Sequence, residues 1–298
     1  MKCFYPDTLV GRCAASIVAK YNSNYEHENF ICFKNKIDFC NIKNKIENKE
    51  TIYIFNYTLN VKNLKDIEYL LKLKECEIYW INDFNSIIHK DNIDKLCNTY
   101  PHLHIINNVN HSIVYSCWTL LFPIETIPSA VKYLDEYEKG IKKSNQCRFF
   151  KLGMSVTNNN FDSDKWVVLL NEWVLLNELS YRNTLTGILN AGESIEKYIK
   201  KQSEYILKQM AFSTTIFGYS CLAINTKPNK VLADVALSNH LLCCFFINKQ
   251  NKWYYTIYSN NPNIDCLKLT KSFDGYGNNN KATFIVDEPI KFKEIEKK

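Results

Sequence analysis

The chain has 298 residues, 46% of them apolar and 23% charged, enough to bury one large core or two medium ones, and two domains are expected. Its formal charge of +6 comes almost wholly from lysine, because only Arg12, Arg148 and Arg182 carry guanidinium groups. Arginine reads phosphates and base edges bidentately, so this balance disfavours a dedicated sequence-reading nucleic-acid protein. Glycine is scarce, at 8 residues, whereas 36 residues are asparagine, a bias that suits an A/T-rich genome such as that of a large DNA virus. So few glycines leave little with which to cradle a phosphate.

The chain opens on strand, turn and helix: an apolar run ends at Tyr5, Pro6-Asp7-Thr8 breaks it, and "GRCAASIVAKY" has helical composition. Two further apolar runs, "ETIYIFNYTL" and "ECEIYWINDF", flank a segment in which Leu64, Ile67, Leu70 and Leu71 recur at helical spacing. This alternation predicts a parallel sheet with crossover helices, and so an α/β N-terminal half. Helices are expected over about 111–121 and from Ile127 to Gly140, with a polar break at 155–164.

From Thr184 to Ala211 an amphipathic pattern predicts one long connecting helix with its lysines on the other face. Beyond it, "TTIFGYSCLAINT", "HLLCCFFINKQ" and "KWYYTIYSNN" read as strands, and "KVLADVALSN" and "DCLKLTKSF" as helices. The expected organisation is an α/β domain over 1–183, a connecting helix over 184–212 and a smaller α/β domain over 213–298.

The 12 cysteines are scattered without a C-x-x-C pair or zinc spacing, which points to buried free thiols in a reducing compartment. His89, His102, His104, His111 and His240 form no i,i+4 pair with a carboxylate at metal spacing. The first residues, "KCFYPD", are strand-like and carry no charged-then-apolar leader, and no apolar run is long enough to span a bilayer. A cytoplasmic protein with no membrane partner is expected.

In an open parallel sheet, ligands gather beyond the carboxyl ends of the strands, here Pro6 to Arg12, Asn56 to Thr58 and Asn82 to Ser86. The strand-turn-helix "FYPDTLVGRCAASIVAKY", the strand ends "IYIFNYTL" and "IYWINDFNSI", the helix "HSIVYSCWTLLFP" with "IPSAVKYLDEYEKG", and the tail "SFDGYGNNNKATFIV" together resemble the DHH phosphoesterase superfamily with its associated C-terminal domain. The order and spacing of these segments carry the resemblance over essentially the whole chain.

The resemblance implies two manganese ions held at three strand ends and hydrolysis of short oligonucleotides, cyclic dinucleotides or similar phosphate esters. It also implies where this chain departs from the family. The histidine and two aspartates of the first motif fall on Pro6, Thr8 and Val10; the bridging aspartate falls on Asn56; the Asp-His-His triplet falls on Asn82, Asp83 and Phe84. Neutral amides are poor substitutes in a dinuclear site, so no metal cofactor is expected; Asp7 and Asp83 are the weak candidates for a single ion. In the C-terminal motif Gly275 and Gly277 remain, Asp274 and Tyr276 replace glycines, Asn278 replaces the histidine, and the substrate-binding arginine falls near Tyr258 or Ser259. The ligand-binding candidates are Asp7, Gly11, Arg12, Ser259, Gly275, Gly277, Asn278, Asn279, Asn280 and Lys281, with Asn278 to Asn280 also suited to a turn.

The expected function is therefore that of a catalytically degenerate, DHH-like protein that binds a nucleotide or short oligonucleotide in an interdomain cleft, or serves as a scaffold with protein partners in an assembly. Two alternatives stand beside it. One is an active phosphodiesterase that recruits manganese or magnesium through Asp7, Asp83 and Asp135 or Glu138; the other is a structural protein associated with nucleic acid.

Overall fold

Lys2–Pro6 (β1) is almost wholly apolar, as a strand buried on both faces must be, and Thr8 stops it by capping the helix Leu9–Tyr21 (α1). Phe30–Phe33 (β2), Thr51–Phe55 (β3), Glu77–Asn82 (β4) and Leu103–Asn107 (β5) complete a five-stranded sheet in the order β2-β1-β3-β4-β5. All four pairings are parallel. This computed structural model describes residues 1–298 except 35–36, 38–41, 43–44, 58–60, 83–89, 141–143, 173–178, 291 and 295–298.

Alternate residues of each strand enter opposite cores. Phe4, Ile52, Ile54, Ile78 and Trp80 pack with Ile67, Leu70 and Leu71 of Val61–Leu73 (α2), and Lys90–Thr99 (α3) precedes β5. Cys3, Tyr5, Tyr53, Phe55 and Ile81 pack instead with α1 and with residues of Ile113–Leu121 (α4), Ser129–Glu138 (α5), Gln146–Ser155 (α6) and Asp164–Leu170 (α7). The strand order is that of a doubly wound sheet whose direction of winding reverses between β1 and β3, and such sheets bind ligands beyond the carboxyl ends that flank the reversal.

Leu179–Met210 (α8) is the long amphipathic helix expected from the sequence, begun five residues earlier than the pattern indicates. Its N-terminal part crosses α6 closely, because a Cβ on Gly153 would stand 1.9 Å from the Ile188 carbonyl oxygen and one on Gly192 would stand 1.8 Å from that of Phe149. The chain divides into two units, Met1–Ile195 and Glu196–Lys298.

In the second unit, Ala211–Ile216 (β6), Tyr219–Ile224 (β7), Leu242–Lys249 (β8), Lys252–Tyr258 (β9), Tyr276–Asn278 (β10), Lys281–Val286 (β11) and Lys293–Glu294 (β12) form a seven-stranded sheet ordered β10-β11-β9-β8-β7-β6-β12. Only β7 and β8 run parallel, and their crossover is the helix Lys230–Ala236 (α9). The helix Cys266–Thr270 (α10) follows β9. The single strand expected over "TTIFGYSCLAINT" is a β6–β7 hairpin, because Phe217 and Gly218 both take positive φ, 53° and 83°, and reverse the chain within an unbroken apolar run.

The cysteines among the described residues are free and mostly buried, and burial raises the thiol of Cys266 to about 11 and that of Cys243 to about 12. Among the described residues, no helix is long and apolar enough to cross a membrane. Replacing Gly192 by alanine should cost about 3 kcal/mol in urea unfolding, since backbone rather than a flexible side chain obstructs the new methyl group. An unchanged midpoint would contradict the close α6–α8 crossing.

Candidate functional site

The carboxyl edge of the first sheet gathers most of the N-terminal candidates. Pro6 and Val10 are buried and turned into the protein, Val10 within the core shared by α1 and α4. Thr8 has extended backbone and its Oγ1 accepts from the Gly11 amide at 3.0 Å, so its oxygen is committed to the helix terminus. Gly11 is required for close packing: a Cβ there would meet the Pro6 carbonyl oxygen at 2.2 Å.

Asp7 offers the one carboxylate at this turn, and it is already engaged. Its Oδ1 accepts from Arg12 Nη2 at 2.5 Å, its amide donates to the Phe33 carbonyl at 2.8 Å, and the Arg12 hydrogen bond holds its carboxyl below the ordinary value of 3.8. The other arm of the guanidinium donates through Nη1 to Asn159 Oδ1. Asn159 is itself fixed, since its Nδ2 donates to the Met154 carbonyl at 2.8 Å and its carbonyl accepts from Trp166 Nε1 at 3.2 Å. Arg12 thus ties α1 to the segment before α7 and is neither a merely solvated residue nor an unpaired anion receptor.

Asn56 and Asn82 follow at the ends of β3 and β4. Asn56 sits in the left-handed region at φ 47°, which asparagine tolerates better than most residues, and its buried Oδ1 has no hydrogen-bond partner. Asn82 is 3% exposed, and its Oδ1 accepts from the Tyr57 amide at 3.1 Å. Asn107 pairs with Asn82 in register at the end of β5 and also has an unpartnered buried Oδ1. Asp83, Phe84 and Thr58 lie outside the described residues.

The proposed substitute carboxylates are employed elsewhere. Asp135 is buried in α5, where its Oδ1 accepts from the Ser112 amide at 2.5 Å and its Oδ2 lies 2.9 Å from His111 Nδ1. Glu138 pairs with Lys151 at 3.6 Å. A dinuclear manganese centre needs several anionic or imidazole donors to offset charge and lost hydration. The described residues at this edge supply neutral amides, a capping hydroxyl, the ion-paired carboxylate of Asp7 and the His111–Asp135 pair, whose carboxylate already holds the Ser112 amide and faces the imidazole, so this donor set does not fit such a centre. Among the described residues, no three His, Cys, Asp or Glu side chains are grouped so as to hold a metal ion.

The remaining candidates belong to the second unit and cluster at one end of its sheet. Asn278 and Lys281 pair across the β10–β11 hairpin, and Asn278 Oδ1 accepts from the amides of Asn280 and Lys281, both at 3.0 Å. Asn279 and Asn280 are the turn itself; their carbonyls accept from the amides of Cys266 at 2.8 Å and Ser259 at 3.1 Å. Ser259 is buried, and its hydroxyl donates to the Leu241 carbonyl at 2.9 Å.

Gly275 approaches so closely that a Cβ would lie 2.3 Å from Thr270 Oγ1, and Gly277 has φ 145°. The ammonium groups of Lys281 and Lys230 lie 5.3 and 5.8 Å from the centre of the Tyr258 ring. The motif positions therefore build a tight, internally satisfied hairpin with two cations beside it.

A carboxyl lowered in the folded state contributes stability that is complete above its ordinary pKa and is lost as pH falls through the folded value. For Asp7 that loss lies below pH ~3.9. Asp7→Asn should flatten part of the acid limb of a urea-midpoint profile while changing stability at neutral pH by about 1 kcal/mol or less. Parallel profiles for the two proteins would contradict the pairing with Arg12.

No family model matches the sequence, and no curated protein does. Among solved structures, a DHH domain described as a member of the s1p family of ribosomal proteins aligns over 98% of this chain and 82% of its own, with 10% identity and a TM-score of 0.53. An uncharacterized protein from Helicobacter pylori G27 aligns over 96% of this chain and 93% of its own, with 13% identity and a TM-score of 0.39. An exopolyphosphatase-related protein from Bacteroides fragilis covers 97% and 87%, with 10% identity and a TM-score of 0.38. The first of these similarities, together with the parallel sheet, the long helix and the second sheet, establishes a DHH-like α/β fold.

Proposed function

We propose that this chain is a catalytically silent protein of DHH-like fold that binds a nucleotide or short oligonucleotide at the carboxyl edge of its first sheet without hydrolysing it. One observation carries the reading. Each described position where the resemblance calls for a metal ligand holds a side chain that is buried, neutral or committed to a structural hydrogen bond: Pro6, Thr8, Val10, Asn56 and Asn82. Asp7, the nearby carboxylate, is neutralised by Arg12. A di-metal hydrolase needs the ions to lower the pKa of a water and to offset charge on the phosphoryl group in the transition state. Neutral amides do neither.

Doubly wound sheets place ligands where the winding reverses, here between β1 and β3, the strand that leads into Asn56. A donor set unsuited to metal ions, at the edge where such sheets bind ligands, favours binding over turnover. The scarcity of arginine favours a small nucleotide ligand over a long nucleic acid read by sequence.

Titration calorimetry and a hydrolysis assay on the purified full chain test this reading together. Manganese should bind no more tightly than millimolar and leave the melting temperature unmoved, and a 5′-phosphorylated dinucleotide should be recovered intact after prolonged incubation with manganese. Binding of two manganese ions per chain with release of mononucleotides would overturn the proposal, as would failure of any nucleotide or short oligonucleotide to bind.

A further inference from the structure

The His111–Asp135 pair lies at the same edge as the candidate site and is used by nothing described above. Asn107 closes β5, a short turn follows in which the Asn110 amide donates to Asn108 Oδ1 at 3.1 Å, and His111 precedes Ser112, the residue that begins α4. The Asn108 amide donates to the Asn82 carbonyl at 3.2 Å, which fastens this turn to the end of β4.

Three observations fix the imidazole. The buried carboxylate of Asp135 lies 2.9 Å from Nδ1 while its other oxygen is held at 2.5 Å by the Ser112 amide, so it cannot swing away without uncapping α4. The ring stacks on Tyr115 with centroids 3.8 Å apart and planes at 9°. A carboxylate facing Nδ1 favours a proton there, which leaves Nε2 of the neutral ring as an acceptor. The side chain is 36% exposed, and Nε2 has no protein partner among the described residues.

This arrangement is that of an oriented imidazole: a buried carboxylate sets the tautomer of the ring and leaves the second nitrogen for a ligand. A ligand engaging His111 Nε2 must bring a hydrogen-bond donor.

Nucleotide phosphates are acceptors only near neutral pH, and base donors differ from base to base. The donors that every ribonucleotide shares are its sugar hydroxyls, and the 2′-hydroxyl is the one that DNA lacks. Resting on the nucleotide-binding reading above, we infer that His111, oriented by Asp135, accepts a hydrogen bond from a ribose 2′-hydroxyl, so that the site selects ribonucleotides over deoxyribonucleotides. His111 is the contacting residue, and Asp135 is a positioning residue that acts through the ring.

Calorimetric titration with the dinucleotides ApA and UpU and with their 2′-deoxy counterparts tests the inference. The full-length protein should bind each ribose form about tenfold more tightly than its deoxy form, the discrimination that one buried hydroxyl contact supplies. His111→Phe keeps a flat ring over Tyr115 without an acceptor and should bind both forms alike, with the affinity of the deoxy form nearly unchanged. His111→Gln, which retains an acceptor, should restore part of the preference.

Nitrogen-15 shifts of the His111 ring give a readout that needs no ligand: a proton on Nδ1 in the parent and a mixture of tautomers in Asp135→Asn. Equal affinity for ribose and deoxyribose forms in the parent, a preference that survives in His111→Phe, or a proton on Nε2 in the parent would each overturn the inference while leaving nucleotide binding intact. Failure of all four dinucleotides to bind would overturn the inference together with the reading on which it rests.

Discussion

A parallel sheet buried on both faces has nowhere to put polar chemistry except its ends, and that constraint organises the N-terminal unit. Phe4, Ile52, Ile54, Ile78 and Trp80 fill one core while Cys3, Tyr5, Tyr53, Phe55 and Ile81 fill the other. Most strand positions are committed to apolar side chains, and Glu77 and His104 pair with each other across β4 and β5. Further polar groups collect where the strands stop, at Asp7, Asn56, Asn82 and Asn107, close to the starts of α1 and α4 in the chain.

What sits at this edge is a set of groups already paired with the protein. Arg12 neutralises Asp7 and grips Asn159; Thr8 caps α1; Asn82 receives the Tyr57 amide; Asp135 caps α4 from a neighbouring helix. Hydrogen-bonded carboxylates and amides of this kind hold loops in place at a modest gain each, about 1 kcal/mol. They do not offer the unshared anionic oxygens on which a dinuclear centre depends. The accessible nitrogen of His111 is an acceptor that this edge offers to a ligand. Such an edge suits a ligand that donates hydrogen bonds and suits a cluster of cations poorly.

Much of the fold was legible because its signals are local. The runs that became β1, β3 and β4 are continuous and apolar, and α2 and α8 repeat their apolar residues at helical spacing. Strand β2 escaped notice because four residues after a polar stretch carry no periodicity, and α6 because Gly153 and its polar neighbours weaken the helical pattern. The β6–β7 reversal was hidden inside an apolar run that shows the turn only through Gly218.

The strand-turn-helix at Asp7 to Arg12 could be read from sequence, whereas the partnership of Asp135 with His111 could not. Those residues are 24 positions apart and meet only because α5 packs beside the start of α4. The long-range grip of Arg12 on Asn159 was equally silent, because a hydrogen bond across 147 residues leaves no spacing to recognise.

The central claim is that the carboxyl edge of the first sheet binds a nucleotide through hydrogen bonds and without metal. Amide hydrogen exchange of the full chain, with and without a dinucleotide in the presence of a chelator, tests it most directly. The account predicts slowed exchange confined in the first unit to residues 7–12, 56–57 and 107–113. Slowed exchange there only after manganese is added, or at neither segment, would contradict it.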